Sequence, residues 1–123
     1  MKVYFKLFGF AVVVVVTFMS SAPIYTPGAP GMPYIYDVRR DGCKFKFDKP
    51  STDGGAAIRA YIIEYRDVNS PKWFVKGTTR DRRYNAQGMV EGSSGQFRVS
   101  AENKMGVGKP SLPSAIVTFI NPY

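Results

Sequence analysis

Residues 43 to 48 read Cys-Lys-Phe-Lys-Phe-Asp, an unbroken alternation of apolar and charged side chains. In an extended strand successive side chains point to opposite faces, so this alternation creates one buried face and one wetted face. Wound into a helix, the same residues would spread charge around the whole circumference. A half-buried strand is stable only when it is paired and its apolar face is covered, so the surrounding segments must supply further strands.

The surrounding segments do so. Asp41-Gly42 is a turn signal, and Ile35 to Val38 before it is the expected partner strand. Pro50 to Gly55 is a loop by composition. Ile58 to Arg66 is rich in β-branched and aromatic residues, with Tyr61, Ile63 and Tyr65 on one face. Asn69-Ser70-Pro71 is a further turn, and Trp73 to Val75 a short strand. Arg83 to Met89 reads as a weak strand, Gln96 to Ala101 alternates again, and Ala115 to Phe119 is the last strand. Seven short strands separated by turn signals predict an antiparallel β-sandwich over residues 34–120. Its expected core is Ile35, Phe45, Phe47, Tyr61, Ile63, Trp73, Phe97 and Val99.

The N-terminus has a different character. Lys2 and Lys6 precede the uncharged run Leu7 to Met19, and Ser20-Ser21-Ala22 offers small residues for cleavage. Read as an apolar helix, residues 1–22 have the layout of a secretory signal peptide. A short membrane anchor and a gene-model accident are the other two readings. Pro23 directly after the cut, the lone Cys43 and the absence of an Asn-x-Ser/Thr acceptor speak against secretion. Pro23 to Pro33 carries four prolines and two glycines in eleven residues and reads as an extended linker.

In this order and spacing, "PGAPGMP", "KFKFDKP", "DGGAAIRAYIIEYRD" and "EGSSGQFRVSAENKMGVGKPS" resemble a fibronectin type III domain, from about Pro27 to Phe119. The sub-type is similar to the repeats of the giant muscle proteins titin and twitchin. The resemblance implies a seven-stranded immunoglobulin-like sandwich. It also implies a non-catalytic structural and protein-binding role in sarcomere organisation, with thick-filament myosin or neighbouring immunoglobulin and fibronectin modules as partners. Localisation stays open: the first 22 residues point to secretion or a membrane, and the resemblance points to the sarcomere. A secreted or membrane-tethered adhesion or receptor-type protein is the alternative. The chain departs from the family pattern at Phe47, where a tryptophan is usual, and at Gly95, where a core tyrosine is usual. On sequence alone, a tyrosine restored at position 95 is expected to raise the melting temperature.

Enzyme classes fare poorly. The chain has no histidine, which removes the commonest general base and metal ligand, and one cysteine cannot build a metal cluster. Gly106 to Ser111, "GVGKPS", superficially resembles a phosphate-binding loop. The motif needs a glycine where Asn103 stands and a hydroxyl where Pro110 stands, so these residues are expected to form the loop between the sixth and seventh strands. No cofactor is expected. A net charge of +8 favours acidic partners, and Lys76, Arg80, Arg82 and Arg83 are the candidate partner patch. No aromatic residues interleave that basic run, so nucleic acid is not expected as a partner. Any membrane contact is expected only through residues 1–22.

Overall fold

In a computed structural model, which describes residues 22–122, the chain forms eight strands in two sheets. The apolar N-terminal segment lies outside the described residues. The strands are β1 (Tyr34–Arg39), β2 (Gly42–Lys46), β3 (Ala60–Asp67), β4 (Phe74–Thr79), β5 (Arg83–Ala86), β6 (Ser94–Asn103), β7 (Gly106–Val107) and β8 (Val117–Thr118). One sheet has the order β1-β2-β5. In the other, β4, β3 and β6 lie side by side, and both β7 and β8 pair with β6. Every pairing is antiparallel.

The alternation in β2 buries Cys43 and Phe45 and turns Lys44 and Lys46 outward. In β3 the same period buries Tyr61, Ile63 and Tyr65, and in β6 it buries Phe97, Val99 and Ala101. These inner faces meet in an aromatic core. Phe45 lies 5.0 Å from Phe97, ring centre to ring centre, and Phe97 lies 4.9 Å from Tyr65. Phe47 meets Tyr61 edge-on at 4.9 Å, a favoured arrangement of ring quadrupoles. Phe119 closes the far end beside Tyr65. Ile35 packs against this core while remaining partly exposed.

Trp73 lies elsewhere. It is half-buried on the outer face of the second sheet, packed against the guanidiniums of Arg66 and Arg98, at 4.7 and 4.4 Å from its ring. The indole is a surface cover over charged neighbours, because the chain reaches β4 through an exposed turn that leaves Trp73 outside the sandwich. Arg98 in turn grips Glu64 across the sheet with two hydrogen bonds of 3.1 and 3.3 Å.

The Pro/Gly segment is extended as expected, but it is docked rather than a free tether. Pro27, Pro30 and Pro33 are buried. The backbone N–H groups of Tyr25, Gly28 and Gly31 donate to the carbonyls of Gly54, Thr52 and Asp48, at 2.8, 3.0 and 2.9 Å. Fully buried Asn103 fastens the same region: its side-chain amide donates to the Tyr25 and Asp53 carbonyls at 2.7 and 2.8 Å. Its side-chain oxygen accepts from the Met105 N–H at 2.9 Å. "GVGKPS" also differs from a plain loop, because Gly106-Val107 pairs with β6. Gly108 sits so close to the Pro27 carbonyl that a Cβ there would overlap it.

The last strand is split because Pro110 and Pro113 cannot donate to a ladder. Two serines maintain the connection to β6. The N–H groups of Val99 and Phe97 donate to the hydroxyl oxygens of Ser111 and Ser114, each at 3.0 Å. The serine N–H groups donate back to the carbonyls of the same two residues at 2.7 and 2.8 Å.

The gap expected at Gly95 is filled from the adjacent strand. Phe97 pairs with Tyr65 and Gly95 with Asp67, so the Tyr65 ring lies diagonally over Gly95. A Cβ at position 95 would overlap the Tyr65 ring and hydroxyl. That hydroxyl is buried without a hydrogen-bond partner among the described residues. Burial, and secondarily the Asp67 charge, push its pKa above the ordinary phenol value. Ser93 acts the other way, but its hydroxyl is already committed to the Val90 carbonyl at 2.6 Å.

The expectation for position 95 therefore reverses. Overpacking a filled core costs about 1–3 kcal/mol, and about 4–8 °C is lost per kcal/mol in a domain of this size. Gly95→Tyr is expected to lower the melting temperature by several degrees, read by thermal unfolding against the parent chain.

Candidate interaction surface

The chemistry-bearing side chains fall into three groups. Cys43 is fully buried, and burial is the main cause that raises its thiol pKa from 9.0 to about 11. The nearby Arg39 charge opposes the rise and the Asp37 charge adds to it. A thiol so placed is a small hydrophobe rather than a nucleophile. Among the described residues, no group of three His, Cys, Asp or Glu residues is placed to hold a metal ion.

The second group is the Arg66–Trp73–Arg98 stack. Arg98 is ion-paired with Glu64, and the Arg66 guanidinium donates to the neutral Gln96 side chain at 2.9 Å.

The third group is a concave groove of about 770 Å3 where the end of β2, the start of β3 and the β4–β5 turn converge. The turn is positioned by its backbone. Phe47 N–H donates to the Arg82 carbonyl at 3.1 Å, and the Thr79 hydroxyl accepts from the Asp81 N–H at 3.1 Å. Arg80, Arg82 and Arg83 therefore face the groove together with Lys46 and Lys49. Lys76 stands apart: it falls between the two segments of the β3–β4 register, opposite no β3 residue, and does not line the groove. The sequence pattern grouped it with the arginines by proximity along the chain.

The floor of the groove includes Phe47 and Tyr61, and its lip includes Met32 and Tyr34. Burial raises the Tyr61 phenol pKa, with the Arg82 charge opposing the shift. Lys46 and Lys49 were not singled out by the sequence, because their convergence with the arginines depends on β2 pairing with β5.

The architecture is that of an immunoglobulin-like antiparallel sandwich. A profile of the fibronectin type III domain matches residues 28–117, and the chain belongs to that family. Domains of the family are typically non-catalytic. Cardiac-type myosin-binding protein C of Mus musculus is 33% identical over 93 residues, which span 74% of this chain and 7% of that protein. A titin homolog of Caenorhabditis elegans is 32% identical over 95 residues, 77% of this chain. The crystal structure of titin domains A168–A170 superposes with a TM-score of 0.76 at 35% identity, covering 78% of this chain and 33% of that one. The chain thus spans less than a tenth of the length of the two curated relatives named here.

The environment of Cys43 has a measurable consequence. The native thiol is expected to resist alkylation at mildly alkaline pH and to react only on unfolding. A raised thiol pKa means that the native state keeps a proton the unfolded chain loses above its own value of 9.0. Stability is therefore expected to be insensitive to this group below about pH 9, to fall as pH rises from there, and to stop falling on its account beyond about pH 11. Alkylation combined with denaturant titrations across that window checks both points.

Proposed function

We propose that this chain is a rigid spacer and protein-binding module of a titin or myosin-binding protein C type of array. In this reading it contributes to sarcomere organisation, and its partners are thick-filament myosin and neighbouring immunoglobulin or fibronectin modules. The observation that carries the reading is the joint match in sequence and structure to the titin A168–A170 domains, at 35% identity and a TM-score of 0.76. The docked Pro/Gly segment adds support. A spacer must hold a fixed relation to whatever precedes it, and here three backbone hydrogen bonds and the Asn103 side chain fix the chain ahead of β1.

A second reading rests on one specific feature. Lys2, Lys6, the apolar run Leu7 to Met19 and the small residues Ser20 to Ala22 favour a secreted or membrane-tethered adhesion or receptor-type protein.

The two readings differ in the native product. Captured with an antibody to the sandwich, an array member is expected as a very large polypeptide that co-sediments with myosin filaments. A small product whose N-terminal sequence starts at Pro23 would instead establish the secreted reading and remove the sarcomeric one.

A further inference from the structure

We propose that the groove between the end of β2 and the β4–β5 turn is a docking site for an extended acidic peptide segment of another protein, with an apolar side chain anchored between its cations. The inference deepens the protein-binding reading above and rests on it. Five cationic side chains, Lys46, Lys49, Arg80, Arg82 and Arg83, line the groove against two acidic ones, Asp48 and Asp81. The ion pairs among the described residues are Lys44–Asp37, Arg59–Glu102 and Arg98–Glu64, and none involves the groove. The five cations are all exposed, and none forms an ion pair among the described residues.

A second observation is independent of the count. In the β2–β5 register Lys46 lies directly opposite Arg83. Like charges directly opposite across an antiparallel pair destabilise a sheet. An anion seated between the two side-chain charges turns that repulsion into two attractions.

The shape and the apolar content select the class of anion. Met32 and Tyr34 at the lip are 58% and 64% exposed, an apolar surface with a cationic border. A concave groove suits a narrow extended chain and gives a flat bilayer little contact. Stacking of nucleic-acid bases is disfavoured, because Tyr61 and Phe47 are 6% and 5% exposed and Lys46 already lies over the Tyr34 ring at 5.5 Å. A second copy of this chain is disfavoured by charge. It carries +8, and no two of its nine acidic residues are adjacent.

The test uses the full 123-residue chain and a fluorescent peptide, Glu-Asp-Glu-Leu-Glu-Asp-Glu, titrated by anisotropy at low and at physiological salt. Binding is expected to raise the melting temperature and to weaken with salt. Arg83→Glu makes an attractive pair with Lys46, so it is expected to raise stability while weakening the peptide about tenfold. Arg80→Glu combined with Arg82→Glu is expected to weaken binding at least as much, and Lys76→Glu, outside the groove, by less than about twofold. Replacing the central leucine of the peptide by serine is expected to weaken it further. Equal loss in Lys76→Glu and the groove variants would overturn the proposal in favour of a general positive field. Unchanged affinity in Arg83→Glu would overturn it outright, and so would indifference to the leucine. Displacement of the peptide by phosphatidylserine vesicles or by a thymidine oligonucleotide would also overturn it, transferring the groove to a membrane or to nucleic acid. None of these outcomes alters the mass of the native product, so the array reading stands or falls separately.

Discussion

The contact on which the sandwich depends is the meeting of Phe45 and Phe97 across the two sheets, 5.0 Å between ring centres. Each ring is fully buried, and each comes from a strand hydrogen-bonded on both sides. Phe45 also touches Phe47 and Tyr84 in its own sheet, and Phe97 touches Tyr65 and Phe119. The aromatic side chains thus form one connected body, and burying a large ring is among the strongest favourable contributions available to a small domain. Tyr65 holds a special position in this body. It packs on Phe97 and also covers the space above Gly95 that a side chain on β6 would otherwise occupy. The core is closed by a ring from β3, and the glycine beneath it is a requirement of that closure.

Much of the sandwich was legible in the sequence because a period of two is a local property. Lys44-Phe45-Lys46-Phe47, Tyr61 to Tyr65 and Phe97 to Ala101 each state which side is buried, and the structure turns those sides inward. Features that depend on distant partners were not legible. The diagonal packing of Tyr65 on Gly95 follows from the β3–β6 register, which joins residues thirty positions apart. Trp73 reads as a core residue by type, and only the path of the turn before β4 puts it outside. The prolines of residues 23–33 suggest a linker by composition, yet their burial depends on carbonyls of the β2–β3 loop that accept from the neighbouring backbone. Ser111 and Ser114 look like loop residues because prolines flank them. Their hydroxyls stand in for strand acceptors, a role invisible without β6 alongside.

The basic groove proposed as a docking site grows from the same alternation. The period that sends Phe45 inward sends Lys46 outward, and β5 brings Arg83 opposite it. The turn that leads into β5 then adds Arg80 and Arg82, held in place through the Phe47 backbone. A residue that closes the core at this end therefore also orients the basic groove. Membership of the fibronectin type III family, matched over residues 28–117, fits the frame that carries this groove: two antiparallel sheets closed on an aromatic core.

The central claim is that Tyr65 and Gly95 form one packing unit in which the β3 ring occupies the place of a β6 side chain. A double-mutant cycle on stability, combining Tyr65→Ala with Gly95→Tyr, tests it most directly. With Tyr65 truncated, the space above position 95 is empty, and a tyrosine there is predicted to recover part of the stability lost. Its effect then changes sign from destabilising to stabilising. If Gly95→Tyr destabilises equally whether residue 65 is tyrosine or alanine, the two positions do not share that space and the account of the core is wrong.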